Sequence, residues 1–389
     1  MSAYKYDFET VTDRRPTYAS KWDVADGELP LSLADMEFKA APEIKEALKR
    51  RLDNGIFGYT DIPDCWYEAY ISWWRERHGL EIKKEDLIFC TGVVPAISSA
   101  VRKLTTPAEK VLIQTPVYNI FYNSILNNGR VVLENRLIYE DGAYSIDWED
   151  FEEKLSDPQV SLMILCNPHN PIGKIWDKET LKRIGDLAYK HHVTVISDEI
   201  HCDITDPGKM YVPFASVSDV CKKISVTCIA PTKCFNLAGL QTAAVMASDP
   251  VLHHKMWRAL NTDEVAEPSA FAVDAAVAAF GQAGPWLDEM RDYVYENKKL
   301  VRKALASVPG IKVIDSDATY LLWLDVSAID QDGDKVCEHL RKTTGLILSK
   351  GSVYGPGGGA FLRLNTACPR SMMEDGIRRL TEGLKGYKA

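Results

Sequence analysis

The sequence predicts an α/β fold: a mainly parallel sheet covered by helices on both faces, followed by a smaller α+β domain. Three observations carry this reading. Short apolar runs such as Val160–Cys166 alternate with helix-patterned stretches, as strands buried on both faces do. Several of these runs lead directly into polar or charged residues, among them Asn170, Asp198 and Lys233. After about Gly284 the texture changes to one long helical pattern and then to short strands.

In chain order, the first 40 residues are irregular and rich in Asp, Tyr and Pro, and read as an arm. From Pro42 the residues Ile44, Leu48 and Leu52 recur every four positions, and Gly55 marks a helix stop. Trp66, Tyr70 and Trp73 share one face of a second helix. Asp86–Cys90 is a short strand, followed by Gly92 and a helix with Val94, Ile97, Val101 and Leu104 on one stripe. Val111–Gln114, Val160–Cys166, Val193–Ile196 and Ile224–Ile229 are further strands, and Asp177 starts a helix continued by Leu181, Ile184 and Ala188. Trp286, Met290, Val294 and Val301 mark a long helix. Strands follow at Tyr320–Val326, Leu346–Ser349 and Phe361–Leu364, with one helix between the first two and another at the end. The chain has no internal repeat.

Composition narrows the function classes. A chain of 389 residues, 46% hydrophobic and 26% charged, predicts two domains rather than a disordered chain. Its net charge of −9 disfavours a nucleic-acid partner. The nine cysteines are odd in number and none forms CxxC, so free thiols in a reducing compartment are expected and no metal site is. Met1–Asp7 lacks the apolar segment of a signal peptide, and no apolar run reaches the length of roughly 20 residues that spans a bilayer. The expectation is a cytoplasmic protein with no membrane partner.

Ligands of parallel α/β sheets bind at the carboxyl ends of the strands. Thr91–Ala96 opens a helix after the first strand, where backbone N–H groups can hold a phosphate. GxGxxG and GxxxxGK[ST] are absent. Asn167-Pro-His-Asn-Pro171 places Asn170 rigidly at one strand end, Asp198-Glu-Ile-His201 follows another, and Pro231-Thr-Lys233 follows a third. Singly, a turn asparagine, a helix cap and a surface lysine account for them. Buried together, a carboxylate and a lysine are costly unless paired or covalently used. The set suits pyridoxal phosphate, which needs a lysine for its Schiff base, an acid on the pyridinium nitrogen and a phosphate cradle.

At these residues the chain resembles fold type I pyridoxal-phosphate enzymes, the aspartate aminotransferase superfamily. The matching segments, in order, are Leu33-Ala-Asp-Met-Glu-Phe38, Phe57-Gly-Tyr-Thr60, Thr91-Gly-Val-Val-Pro-Ala-Ile97, Pro116-Val-Tyr118, Cys166-Asn-Pro-His-Asn-Pro-Ile-Gly173, Asp198-Glu-Ile-His201, Lys233-Cys-Phe-Asn-Leu-Ala-Gly239 and Phe361-Leu-Arg-Leu-Asn365. Within the superfamily it is most similar to the C–S lyases, the cystathionine β-lyase subgroup that is cystalysin-like and maltose-regulon-modulator-like. His169, His201 and Phe57–Thr60 carry that narrower likeness.

The resemblance implies a large cofactor-binding domain over 46–284 with a seven-stranded, mainly parallel sheet. It also implies a small domain over 285–389, joined by an arm over 1–45. Lys233 would carry the cofactor, Asp198 would pair with the pyridinium nitrogen, Asn170 would bond the phenolic oxygen, and Tyr118 would stack on the ring. Gly92, Val93, Val94 and Thr232 would hold the phosphate, with Tyr59 reaching it from the partner of a homodimer. Arg363 would clamp the carboxylate of a small amino-acid substrate. His201 joins the cofactor contacts where many aminotransferases have a tyrosine, and Gln241 replaces an arginine that the lyase subgroup also lacks. Asn119 follows Tyr118 where cystalysin-like sequences can carry a second tyrosine, which bears on the leaving-group pocket.

The implied activity is α,β-elimination from cystathionine- or cysteine-type thioethers, giving pyruvate, ammonia and a thiol. The alternative is a class I/II aminotransferase on the same scaffold, and a third reading is a noncatalytic regulatory module. The remaining features have plainer readings. His191-His192 ends a helix and meets its dipole. Gly355-Pro-Gly-Gly-Gly359 is a loop or connection, and the tryptophans belong to core and interface.

Overall fold

Seven strands form the central sheet in the computed structural model, which describes residues 4–387. They are β1 (Leu87–Cys90), β2 (Lys110–Thr115), β3 (Val131–Arg136), β4 (Val160–Cys166), β5 (Thr194–Asp198), β6 (Ser225–Ile229) and β7 (Ala243–Met246). Their spatial order is β1-β7-β6-β5-β4-β2-β3. Only β7 runs against its neighbours. Cys166 lies opposite Asp198, and Asp198 opposite Cys228. With these strand ends level, the residues that follow β4, β5 and β6 emerge along one edge.

Side chains alternate across the strands, so each face needs its own cover. On one face Val111, Ile113, Ile164 and Ile196 pack with Ile97, Ala100 and Val101 of the helix Val93–Leu104. On the other, Leu112, Met163 and Val195 pack with Leu181, Ile184 and Ala188 of the helix Lys178–Lys190. Asp177 caps that helix by accepting from Thr180 N. Further along the same sheet, Trp66, Tyr70 and Trp73 of the helix Asp64–His78 join Phe89, Ala244 and Met246 in one cluster. The helix Pro42–Asn54 ends at Gly55, whose φ of 73° is left-handed, the conformation glycine adopts freely.

The later strands are β8 (Lys312–Val313), β9 (Leu321–Asp325), β10 (Ser349–Lys350) and β11 (Phe361–Asn365), an antiparallel sheet ordered β8-β9-β11-β10. The long helix Gly284–Leu305 and the helices Gly333–Thr344 and Arg370–Lys385 pack on it through Val301, Leu340 and Leu380. Leu29–Pro30 of the arm pairs in parallel with Leu346–Ile347.

Two strands of the central sheet, β3 and β7, and the short β8 lie in segments the sequence pattern did not mark as strands. β3 lies at the sheet's edge and carries Glu134, Asn135 and Arg136, so it has no continuous apolar run. β7 has only four residues, two of them alanine. The segment expected as one strand, Leu346–Ser349, serves two partners, the arm at its start and β11 at its end. Eight of the nine cysteines are buried, Cys65 is exposed, and all are free thiols. Among the described residues no helix is long and apolar enough to cross a membrane.

Candidate active site

The strand ends surround a cavity of about 280 Å³. Gly92, Val93, Val94, Tyr118, Asn170, Asp198, His201, Thr232 and Lys233 all line it. Arg363 lines an adjoining cavity of about 590 Å³, which shares Ala34, Tyr118 and Lys233 with the first. Tyr59 lines neither and is fully exposed on its own chain. Gly355–Gly359 lines neither as well, and connects Tyr354 to β11.

At one end of the cavity the helix Val93–Leu104 begins. First-turn N–H groups have no intrahelical acceptor, so those of Val93 and Val94 are free to bind an anion. A Cβ at Gly92 would come within 3.2 Å of Pro95 Cδ, so the cradle has little spare room there. At the far end of β5, Asp198 is buried and accepts a bond from Ile200 N at 3.2 Å. It makes no ion pair with the described residues. Burial pushes its carboxyl up to about 7, against the pull of Lys233. Lys233 donates from Nζ to Ala34 O at 2.6 Å. Burial and then the neighbouring Arg363 lower its amine to about 8.

Arg363 is buried on β11 between Leu362 and Leu364, which alternation turns toward the apolar cluster of Val301, Leu340 and Leu380. Its Nη1 donates to Asn170 Oδ1 at 3.1 Å and its Nη2 to Ser32 O at 2.9 Å. The guanidinium lies 4.9 Å from the centre of the Tyr354 ring. Its Nε is buried without a hydrogen-bond partner. Burial, then Lys233 and Arg363, depress His201 to about 3, so its ring is neutral. Burial and then Asp198 push the Tyr118 phenol up to about 12, so it is neutral too.

This donor set fits pyridoxal phosphate. A tight N–H cradle suits its phosphate, a buried carboxylate without a cation suits its ring nitrogen, and a buried amine suits its aldehyde. Ala34, Ser32, Tyr320 and Tyr354 complete the surroundings, and sequence reasoning did not single them out. Only the segment Leu33–Phe38 gave a signal, as a matching motif without an assigned role.

Residues 27–380 match the family described as aminotransferase class I and II. The chain belongs to that family. Among relatives, it is 44% identical to cystathionine beta-lyase PatB of Bacillus subtilis, over 97% of this chain and all of that one. It is 32% identical to protein MalY of Escherichia coli, over 98% and 100% of the two chains. The fold matches cystalysin from Treponema denticola, a structure containing pyridoxal 5'-phosphate, with a TM-score of 0.95 at 32% identity, over 98% of this chain and 100% of that chain. It also matches the PLP-bound C–S lyase of Staphylococcus hominis complexed with L-cycloserine, with a TM-score of 0.92 at 29% identity, over 98% and 99% of the two chains. The family fold is therefore the fold type I architecture anticipated from the sequence.

The buried carboxylate carries a stability cost that can be measured without the cofactor. The folded-state value of Asp198 is raised from 3.8 to about 7. In that window the folded chain binds more protons than the unfolded one, so this group's contribution to stability falls as pH rises. Asp198→Asn therefore raises the thermal midpoint of the cofactor-free protein relative to wild type. The difference grows from pH 4 to pH 7 and is then flat. A difference that is constant with pH would contradict the assignment of Asp198 as a buried carboxylate without a cation.

Proposed function

We propose that the chain is a pyridoxal-phosphate-dependent carbon–sulfur lyase. It performs α,β-elimination on cysteine-type thioethers, cystathionine among them, to give pyruvate, ammonia and a thiol. The observation that carries this is a pair of adjoining cavities joined at the buried amine of Lys233, one holding the buried carboxylate of Asp198 and the other the guanidinium of Arg363. The likeness to the Bacillus subtilis lyase supports it along the whole chain.

When bound, pyridoxal phosphate anchors the substrate amine covalently and supplies a ring that absorbs the electron pair of the broken Cα–H bond. The chain's own residues do the rest. Gly92, Val93, Val94 and Thr232 would hold the phosphate, and Tyr118 would stack on the ring. Asp198 would face the ring nitrogen, where an opposite charge would offset its burial and hold it as an anion. Asn170 and His201 line the same cavity. Arg363 offers its planar fork to the substrate carboxylate. Lys233, lowered to about 8, is partly neutral near physiological pH and takes the Cα proton. The Cβ–S bond then breaks, and the proton held on Lys233 passes to the leaving sulfur, which departs as the thiol and frees the amine again. The remaining three-carbon fragment takes up one water to give pyruvate and ammonia.

Incubation with cystathionine, cysteine or S-alkyl cysteines, with no keto acid added, is expected to release pyruvate and thiol in equal amounts. Stoichiometric passage of the amino group to a keto acid, with no thiol released, would establish the aminotransferase reading instead.

The chain acts as a homodimer in this reading, in the cytoplasm, with Tyr59 completing the phosphate site of the partner subunit. Its full exposure in one chain supports this, as does the loop it occupies between two helices. A two-fold axis would place the same loop at both sites. Mixing Lys233→Ala with Tyr59→Phe protein under subunit exchange, at limiting cofactor, is expected to raise activity above either parent. No rise would mean that Tyr59 serves its own chain.

A further inference from the structure

The arm crosses the cleft between Lys233 and Arg363, and four successive carbonyls there each receive a side-chain donor. Ser32 O accepts from Arg363 Nη2 at 2.9 Å. Leu33 O accepts from Asn365 Nδ2 at 2.6 Å. Ala34 O accepts from Lys233 Nζ at 2.6 Å and from the Tyr320 hydroxyl at 2.9 Å. Asp35 O accepts from Asn365 Nδ2 at 2.7 Å and from Lys21 Nζ at 3.1 Å. Asn365 thus spans the carbonyls on either side of Ala34, while its own Oδ1 accepts from Ala367 N at 2.8 Å. Both Asn365 and Tyr320 are buried. Peptide planes are rigid and joined by only two soft torsions per residue. Holding the planes before and after Ala34 therefore leaves its carbonyl little freedom.

We propose that Asn365 and Tyr320 are positioning residues for the Lys233 amine, acting through the Ala34 carbonyl. The proposal rests on the reading of Lys233 as the base. An amine that takes a proton becomes an ammonium and needs an acceptor inside the cleft. The charged groups facing it are Arg363, Asp35, Asp198 and Lys21. The two cations repel it. Asp198 is assigned to the cofactor, and the Asp35 carboxylate is taken up by Arg14 at 2.6 Å and Lys21 at 3.3 Å. The Ala34 carbonyl is the acceptor in contact, and a base is effective only where its acceptor keeps it in line with the proton it moves. Asn365 stands two residues after Arg363 on β11 and so on the same face of the strand. One strand of the small domain thereby sets both the carboxylate clamp and the place of the base.

The experiment uses full-length Tyr320→Phe, which removes one hydroxyl, and Asn365→Ser, which removes both arm contacts. In the cofactor-free chains, acetylation of Lys233 by acetic anhydride is followed against pH by peptide mass spectrometry, with the exposed Lys103 as internal standard. The Lys233 midpoint is expected to fall by about half a pH unit or more, because the ammonium loses a held acceptor. The Lys103 midpoint should stay in place. In the loaded enzymes kcat on S-ethylcysteine is expected to fall about 10- to 100-fold with KM within about twofold. If the midpoint stays in place in Tyr320→Phe, the two residues merely tie the arm down and the proposal is overturned, whatever happens to activity or thermal stability. Should Asn365→Ser fail to fold, Tyr320→Phe decides alone. If the wild-type protein releases no pyruvate, the lyase reading fails, and the acetylation midpoints still decide the positioning role.

Discussion

Lys233→Ala is expected to leave a folded protein that still takes up pyridoxal phosphate and turns over at least about 10⁴-fold more slowly, the upper end of what a positioned base contributes. The other contacts proposed for the cofactor do not depend on the lysine: the N–H groups at the start of the helix Val93–Leu104, Thr232 and Asp198 line the cavity independently of it. In the proposed reading, what is lost is both the amine that anchors the cofactor and the base for the Cα proton. Borohydride reduction of the wild-type protein should fix the cofactor to the peptide containing Lys233, and the variant should retain none after denaturation. A label on a different lysine, or turnover within tenfold of wild type, would refute the assignment. The folding side is favourable to the test. Lys233 is an amine whose charge is disfavoured by burial and by Arg363, so its removal relieves a cost, and the thermal midpoint of the cofactor-free variant should not fall.

Arg363→Lys is expected to lower kcat/KM by roughly 30- to 1,000-fold, which corresponds to ~2–4 kcal/mol of the kind lost when a buried charge pair is broken. The guanidinium already spends Nη1 on Asn170 and Nη2 on Ser32 O, and its Nε is buried without a partner. A lysine has no planar fork to present to a carboxylate while keeping those neighbours. The cofactor's visible spectrum should change little, because the substitution keeps a positive charge beside Lys233 and leaves the lining of the cavity that holds Asp198 intact. Were Arg363 only an ordinary surface ion pair, worth about 0–1 kcal/mol, the loss would stay below about fivefold. Near-normal kinetics would therefore remove Arg363 from the substrate site.

Much of this was readable from the chain itself. Strands buried on both faces are mostly apolar, so the runs of β4, β5 and β6, interrupted only by Ser, Thr and the terminal Asp198, could be placed from the sequence pattern. The polar residues that follow them stood out because a charge at such a place is costly. Local chemistry also announced Asp177 as a cap and Gly55 as a stop. β3 and β7 gave no such signal, since an edge strand can be polar and the alanines that open β7 favour a helix as much as a strand. The tertiary structure alone decided how the cleft is closed. Lys233 meets Ala34 across 199 positions, Tyr320 meets Ala34 across 286, and Arg363 meets Ser32 across 331. Each of these contacts ends on a backbone carbonyl, a group every residue carries. Only the packing of the arm between the strand ends of the central sheet and β11 selects which carbonyls receive the lysine and the arginine.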